Sequence, residues 1–104
     1  MRFRVEVSNL ASEQYDKFLA YIYLVLKNPQ AVDSLMKDFD NTIDILSEQA
    51  ERFGYCRSEH LRKLGFRKIH LRKYRYLLVY RMIHDRVIVE GMYHELQDYE
   101  NAIE

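Results

Sequence analysis

Two kinds of side chain in this sequence could do chemistry near neutral pH, and both crowd into its second half. The proton-transfer groups are His94 beside Tyr93, and His70. A free imidazole titrates at about 6.5, which suits it to pass a proton at physiological pH. The cations follow at short intervals: Arg67, Lys68, Arg72, Lys73, Arg75 and Arg81. These are the groups that metal-free attack of a ribose 2′-hydroxyl on its neighbouring phosphate needs. One group takes the proton, another returns a proton to the leaving oxygen, and fixed positive charge steadies the pentacoordinate phosphate. His94, Tyr93, Arg75 and Arg81 are therefore the candidate catalytic residues. Arg67, Lys68, His70, Arg72 and Lys73 are the candidate target-binding residues. A structural role also fits His94, as a turn histidine hydrogen-bonded to backbone.

Charge sets the same stretch apart. The chain of 104 residues has 16 basic and 16 acidic side chains and is formally neutral. Residues 57–86 nevertheless hold ten of the basic ones against only Glu59 and Asp85, a local +8 balanced by −8 elsewhere. Such polarity attracts polyanions, either nucleic acid or an acidic protein segment. It equally suits a solvated strand face that deters edge-to-edge aggregation. The spacing of the four histidines matches no ligand motif, and Cys56 is alone, so no metal, no cofactor and no internal disulfide are expected. No apolar run approaches a membrane span, and MRFRVEVSN lacks a signal-peptide core, so a cytoplasmic protein with no membrane partner is expected. The length suits a single domain, 1–104, with one core.

Three consecutive strands must carry these residues: Phe66–Arg72, Tyr74–Ile83 and Arg86–Tyr93, rich in Val, Ile, Leu and Tyr and broken by short polar turns. In the first, Arg67, Ile69 and Leu71 share one face while Lys68, His70 and Arg72 share the other. Arg2–Val7 alternates as a fourth, opening strand. Ser8 or Asn9 can cap a following helix whose apolar stripe runs from Ala11 through Tyr15, Phe18 and Ile22 to Val25 and Leu26. Asn28-Pro29 ends that helix and starts a second, striped from Val32 to Phe53 and stopped by Gly54. Tyr55–Leu64 reads as a polar, basic connection, and the last ten residues as a short terminal helix. Tyr74, Tyr76 and Tyr80 share a face and could stack bases or enter the core. The expected fold is α+β, strand-helix-helix-strand-strand-strand-helix. An antiparallel sheet carries the helical hairpin on one face, and its other face is basic and partly open.

This order, with its local patterns, resembles the RelE/ParE superfamily of toxins from type II bacterial toxin–antitoxin systems. The matching pieces are FRVEVS, the joint LAYIYLVLKNPQAVDSLM, the core LGFRKIHLRKYRYLLVYRMI and the ending VIVEGMYHELQDYENAI. The resemblance implies a compact toxin neutralised by a cognate antitoxin whose acidic C-terminal segment wraps it. Members act either by cleaving messenger RNA on the ribosome or by poisoning DNA gyrase without hydrolysis. A metal-independent mRNA endonuclease is the first expectation, on the His/Tyr/Arg/Lys mixture. Gyrase inhibition is the alternative, and a non-toxic binding domain of the same fold is a third. At one position the chain departs from the nuclease pattern. Aligned on Leu78-Val79-Tyr80, the usual arginine is Leu77, and Arg75 lies two residues earlier, about 6–7 Å along the strand. The ending GMYHELQDYE is similar to ParE-type tails.

Overall fold

The computed structural model describes residues 2–103. Alternation of Val5 and Val7 with Arg4 and Glu6 gives β1, Arg4–Val7. Ser8 then caps α1, Asn9–Leu24, its hydroxyl accepting the Ala11 N–H at 3.1 Å. Asn28 repeats the device for α2, Pro29–Gln49, accepting from Ala31 N–H with Pro29 in the first turn. Tyr15 stacks on Phe39 at 4.0 Å between ring centres and locks the two helices together. The expected apolar stripe of α1 overshoots: Val25 and Leu26 lie beyond the helix and are 61% and 56% exposed. The joint takes Lys27 into the left-handed region, φ 52°, and turns the chain back before those residues reach the core.

After α2 a 3-10 turn, Ala50–Arg52, leads to α3, Glu59–Lys63, a short helix inside the stretch expected to be only a connection. Then come β2 (Arg67–His70), β3 (Tyr76–Ile83), β4 (Arg86–His94) and the short α4, Tyr99–Ala102. The sheet order is β1-β4-β3-β2. The three-strand meander is antiparallel, as expected, but β1 pairs with β4 in parallel. Parallel neighbours need a long connection, and here the helices and the other two strands all lie between β1 and β4 in the chain. Among the described residues, no helix is long and apolar enough to cross a membrane.

Both faces of the sheet are covered. On the inner face Ile69, Leu78, Tyr80, Val87, Val89 and Met92 pack under α1 and α2. Tyr80 is wholly buried there, with its hydroxyl donating to Ala50 C=O at 2.6 Å, while Tyr74 and Tyr76 pack at the margin of this core. The outer face was expected to be basic and partly open. Its centre is instead a second apolar cluster in which Leu77, Val79 and Tyr93 lie under Cys56, Leu61 and Phe66, with Tyr99 and Ile103 alongside. Burial raises the Cys56 thiol pKa to about 11, which leaves it an inert core side chain.

Candidate functional site

A bulge decides which way the end of β4 faces. Val79 pairs with Gly91 and Tyr80 with Val89, so Glu90 is an extra residue in the ladder. Strict alternation from Val87 and Val89 would send Tyr93 inward. The bulge turns Tyr93 outward into the second cluster and brings His94 to the inner side, its ring edge-on to Tyr76 at 5.4 Å. Gly91 is required beside it: a Cβ there would stand 2.5 Å from the Tyr93 ring. Gln14 of α1 accepts the Met92 N–H at 2.8 Å and ties the helix to this corner.

His94 is held at both ends. Its N–H donates to Gln97 Oε1 at 2.7 Å, and its Nδ1 accepts the Leu96 N–H at 3.1 Å. A neutral ring so placed carries its proton on Nε2. Arg75 C=O accepts the Glu95 N–H, so Arg75 and His94 lie at the same end of the sheet. Arg81 is six residues further along β3, about 20 Å away by strand rise. There it is bonded to Glu90 at 2.6 Å. Of the four candidate catalytic residues, two share a sheet end, Tyr93 is buried under the outer layer, and Arg81 is remote.

The candidate binding residues divide as well. Arg67 faces the helices, where its guanidinium donates to Glu51 C=O (3.2 Å), Phe53 C=O (2.6 Å) and Tyr55 Oη (2.8 Å). It closes the C-terminal end of the helical hairpin, where free carbonyls gather. Lys68 and His70 lie on the outer face beside a cleft of about 380 Å³ that Arg57, Glu95, Tyr99 and Glu100 also line. Each has an acidic neighbour: Glu100 is 3.7 Å from Lys68, and Glu95 is 3.3 Å from His70. Arg86, also on this face, is bound to Glu6 at 2.6 Å, and the contact lowers the Glu6 carboxyl pKa.

Arg72, Lys73 and Arg75 behave differently. All three are exposed, and among the described residues none has a carboxylate within ion-pair distance of its side chain. Their turn is rigidly held from below by Asp38 of α2, which is 5% exposed and accepts the backbone N–H of Arg72 (3.2 Å), Lys73 (2.9 Å) and Tyr74 (3.1 Å). Three donors converging on one carboxylate make a built anion nest. Sequence reasoning missed Asp38. An acid interrupting the apolar stripe between Leu35 and Phe39 was the available signal. Among the described residues, no group of three His, Cys, Asp or Glu side chains is placed to hold a metal ion.

The helical hairpin on a four-strand sheet is the α+β layout that the resemblance to RelE/ParE-type toxins implied. A family model described as the ParE toxin of the type II toxin-antitoxin system, parDE, matches residues 5–99. The chain belongs to the ParE toxin family. Among solved structures it is similar to a chain of the chromosomal ParDE toxin–antitoxin system from P. aeruginosa. The TM-score is 0.72 at 16% identity, covering 89% of this chain and 96% of that one. No curated protein sequence matches.

Proposed function

We propose that this toxin poisons DNA gyrase by binding it, without hydrolysis, until a cognate antitoxin with an acidic C-terminal segment neutralises it. The observation that supports binding over cleavage is the dispersal of the proton-transfer and phosphate-binding groups. Tyr93 and His94 point to opposite sheet faces, and Arg81 sits in an ion pair at the far end. Acid–base catalysis needs its groups within hydrogen-bond reach of one reacting phosphate. The free cations Arg72, Lys73 and Arg75, on their Asp38-anchored turn, are suited to meet an acidic protein surface or segment.

Parallel assays test this reading. Purified toxin should abolish gyrase supercoiling while leaving messenger RNA on translating ribosomes intact. Reversing Arg72, Lys73 and Arg75 to Glu should weaken inhibition at least tenfold. Cut message with normal supercoiling would overturn the proposal. One feature favours a second reading, ribosome-dependent RNA cleavage: Arg57, Lys68 and His70 line a single cleft with Tyr99. If that reading holds, His70→Ala removes cleavage, and His94→Ala decides whether His94 also takes part.

A further inference from the structure

The chain beyond β4 lies across the outer face and fills part of the cleft with its own carboxylates. The Glu100 side chain is 16% exposed. It accepts the backbone N–H of Ser58 at 2.6 Å and of Arg57 at 3.0 Å, with Lys68 Nζ 3.7 Å away. Burial pushes the Glu100 carboxyl pKa up, but those two N–H bonds and the charges of Lys68 and Arg57 outweigh it, and the net shift is downward. Tyr99 adds its hydroxyl, which accepts from Lys68 Nζ at 2.9 Å, and its ring, which stacks on Tyr93 at 5.8 Å. Glu95 meets His70 a few residues earlier.

The hold is shallow. α4 has four residues, no side-chain cap bond and no buried residue. Segments of this kind open locally at a small fraction of the free energy that unfolds the core. Lifting this one would leave Lys68, Arg57, His70 and two backbone N–H groups around the cleft, all donors or cations. Leu77 would line its floor. A site of that composition calls for an anion. A phosphoryl group presents three acceptor oxygens where the carboxylate presents two, and so could satisfy both amides and Lys68 together.

We propose that residues 95–103 are a displaceable strap, that Glu100 occupies an anion site formed by Lys68 and the backbone N–H groups of Arg57 and Ser58, with His70 along the same cleft, and that a phosphoryl group binds there by displacing it. The inference rests on neither reading of the toxin's target. A tethered carboxylate is an intramolecular competitor, so the apparent affinity falls by the fraction of time the strap is open.

The test uses the full chain and pyrophosphate as probe. By calorimetry at low salt, Glu100→Gln should bind pyrophosphate about tenfold more tightly than the parent, the change expected if the strap is open about a tenth of the time. Lys68→Met should abolish binding in either background. In the parent protein, pyrophosphate should speed exchange of the Ile103 amide, which bonds Tyr99 C=O in the closed strap. That readout needs no variant, and an Ile103 amide that stays equally protected under pyrophosphate overturns the proposal, as does unchanged or weaker binding by a folded Glu100→Gln. Tighter binding of a short single-stranded RNA than of pyrophosphate assigns the phosphoryl group to a nucleic-acid backbone. The reverse order assigns it to a free phosphate ligand. Neither result depends on gyrase or ribosome assays, so this proposal and the toxin's target fail separately.

Discussion

On the inner face of the sheet, Leu78, Tyr80, Val87 and Met92 meet two helices of 16 and 21 residues. On the outer face, Leu77, Val79 and Tyr93 meet a five-residue helix and a tail. The inner layer is a continuous apolar contact between long elements, and stability resides there. In the outer layer a small apolar centre is ringed by polar pairs: Lys68 with Glu100, His70 with Glu95, Arg81 with Glu90, Arg86 with Glu6. The last three pairs are partly open to solvent and contribute little to folding, while the more sheltered Lys68–Glu100 pair ties down only a four-residue helix. One strand therefore serves two purposes by parity: its even positions build the core and its odd positions support a loosely covered surface.

The comparison can be broken most directly in the core. Leu78→Ala, at a fully buried inner position, should cost about 3–5 kcal/mol, seen as a lower urea midpoint. Leu61→Ala in the outer cluster should cost less, about 2–3 kcal/mol, because a five-residue helix can settle into the space. Equal losses would show that the outer layer is as firmly built as the inner one.

Asp38→Ala should cost about 2–3 kcal/mol by leaving three turn amides without their carboxylate. Target inhibition should fall with it, because Arg72, Lys73 and Arg75 lose their fixed placement. Gly91→Ala should cost about 1–3 kcal/mol and expel the Tyr93 ring, which leaves the inner core intact while loosening the outer. Near-ultraviolet circular dichroism and the exchange of outer-face amides separate these two effects. Uncoupling Arg81 from Glu90 in a double-mutant cycle should move stability by less than about 1 kcal/mol.

The smallest effect is acid-induced. The Glu100 carboxyl is held below its ordinary value of 4.5, so its contribution is complete above that pH and is lost as pH falls through the lowered folded value. Measured against their intrinsic exchange rates, the strap amides should lose protection on the acid side of 4.5 while core amides keep theirs. Loss of both together would mean that strap and core open as one unit.

Much of the fold was legible in the chain. The periods of 3.6 and 2 placed α1, α2 and the meander. Ser8 and Asn28-Pro29 marked the helix starts, and Arg67 and Ile69 were correctly set on one face with Lys68 and His70 on the other. The candidate site was legible only as a set of residue types. Adding formal charges predicted an open basic face, because a sum over sequence cannot see Glu100 folding back on Lys68 or Glu6 lying beside Arg86.

Local pattern and capping thus determined which segments are helix and strand and which stripe each buries, since those depend on neighbours within a turn or two. Tertiary structure alone decided the parallel pairing of β1, the bulge at Glu90 that sends Tyr93 and His94 to opposite faces, the anchoring of the basic turn by Asp38 and the covering of the outer face. Each of these joins residues from separate elements of the chain or shifts a register by one. Such contacts are set by which distant carboxylate, ring or strand arrives, and periodicity along the chain carries no record of that arrival.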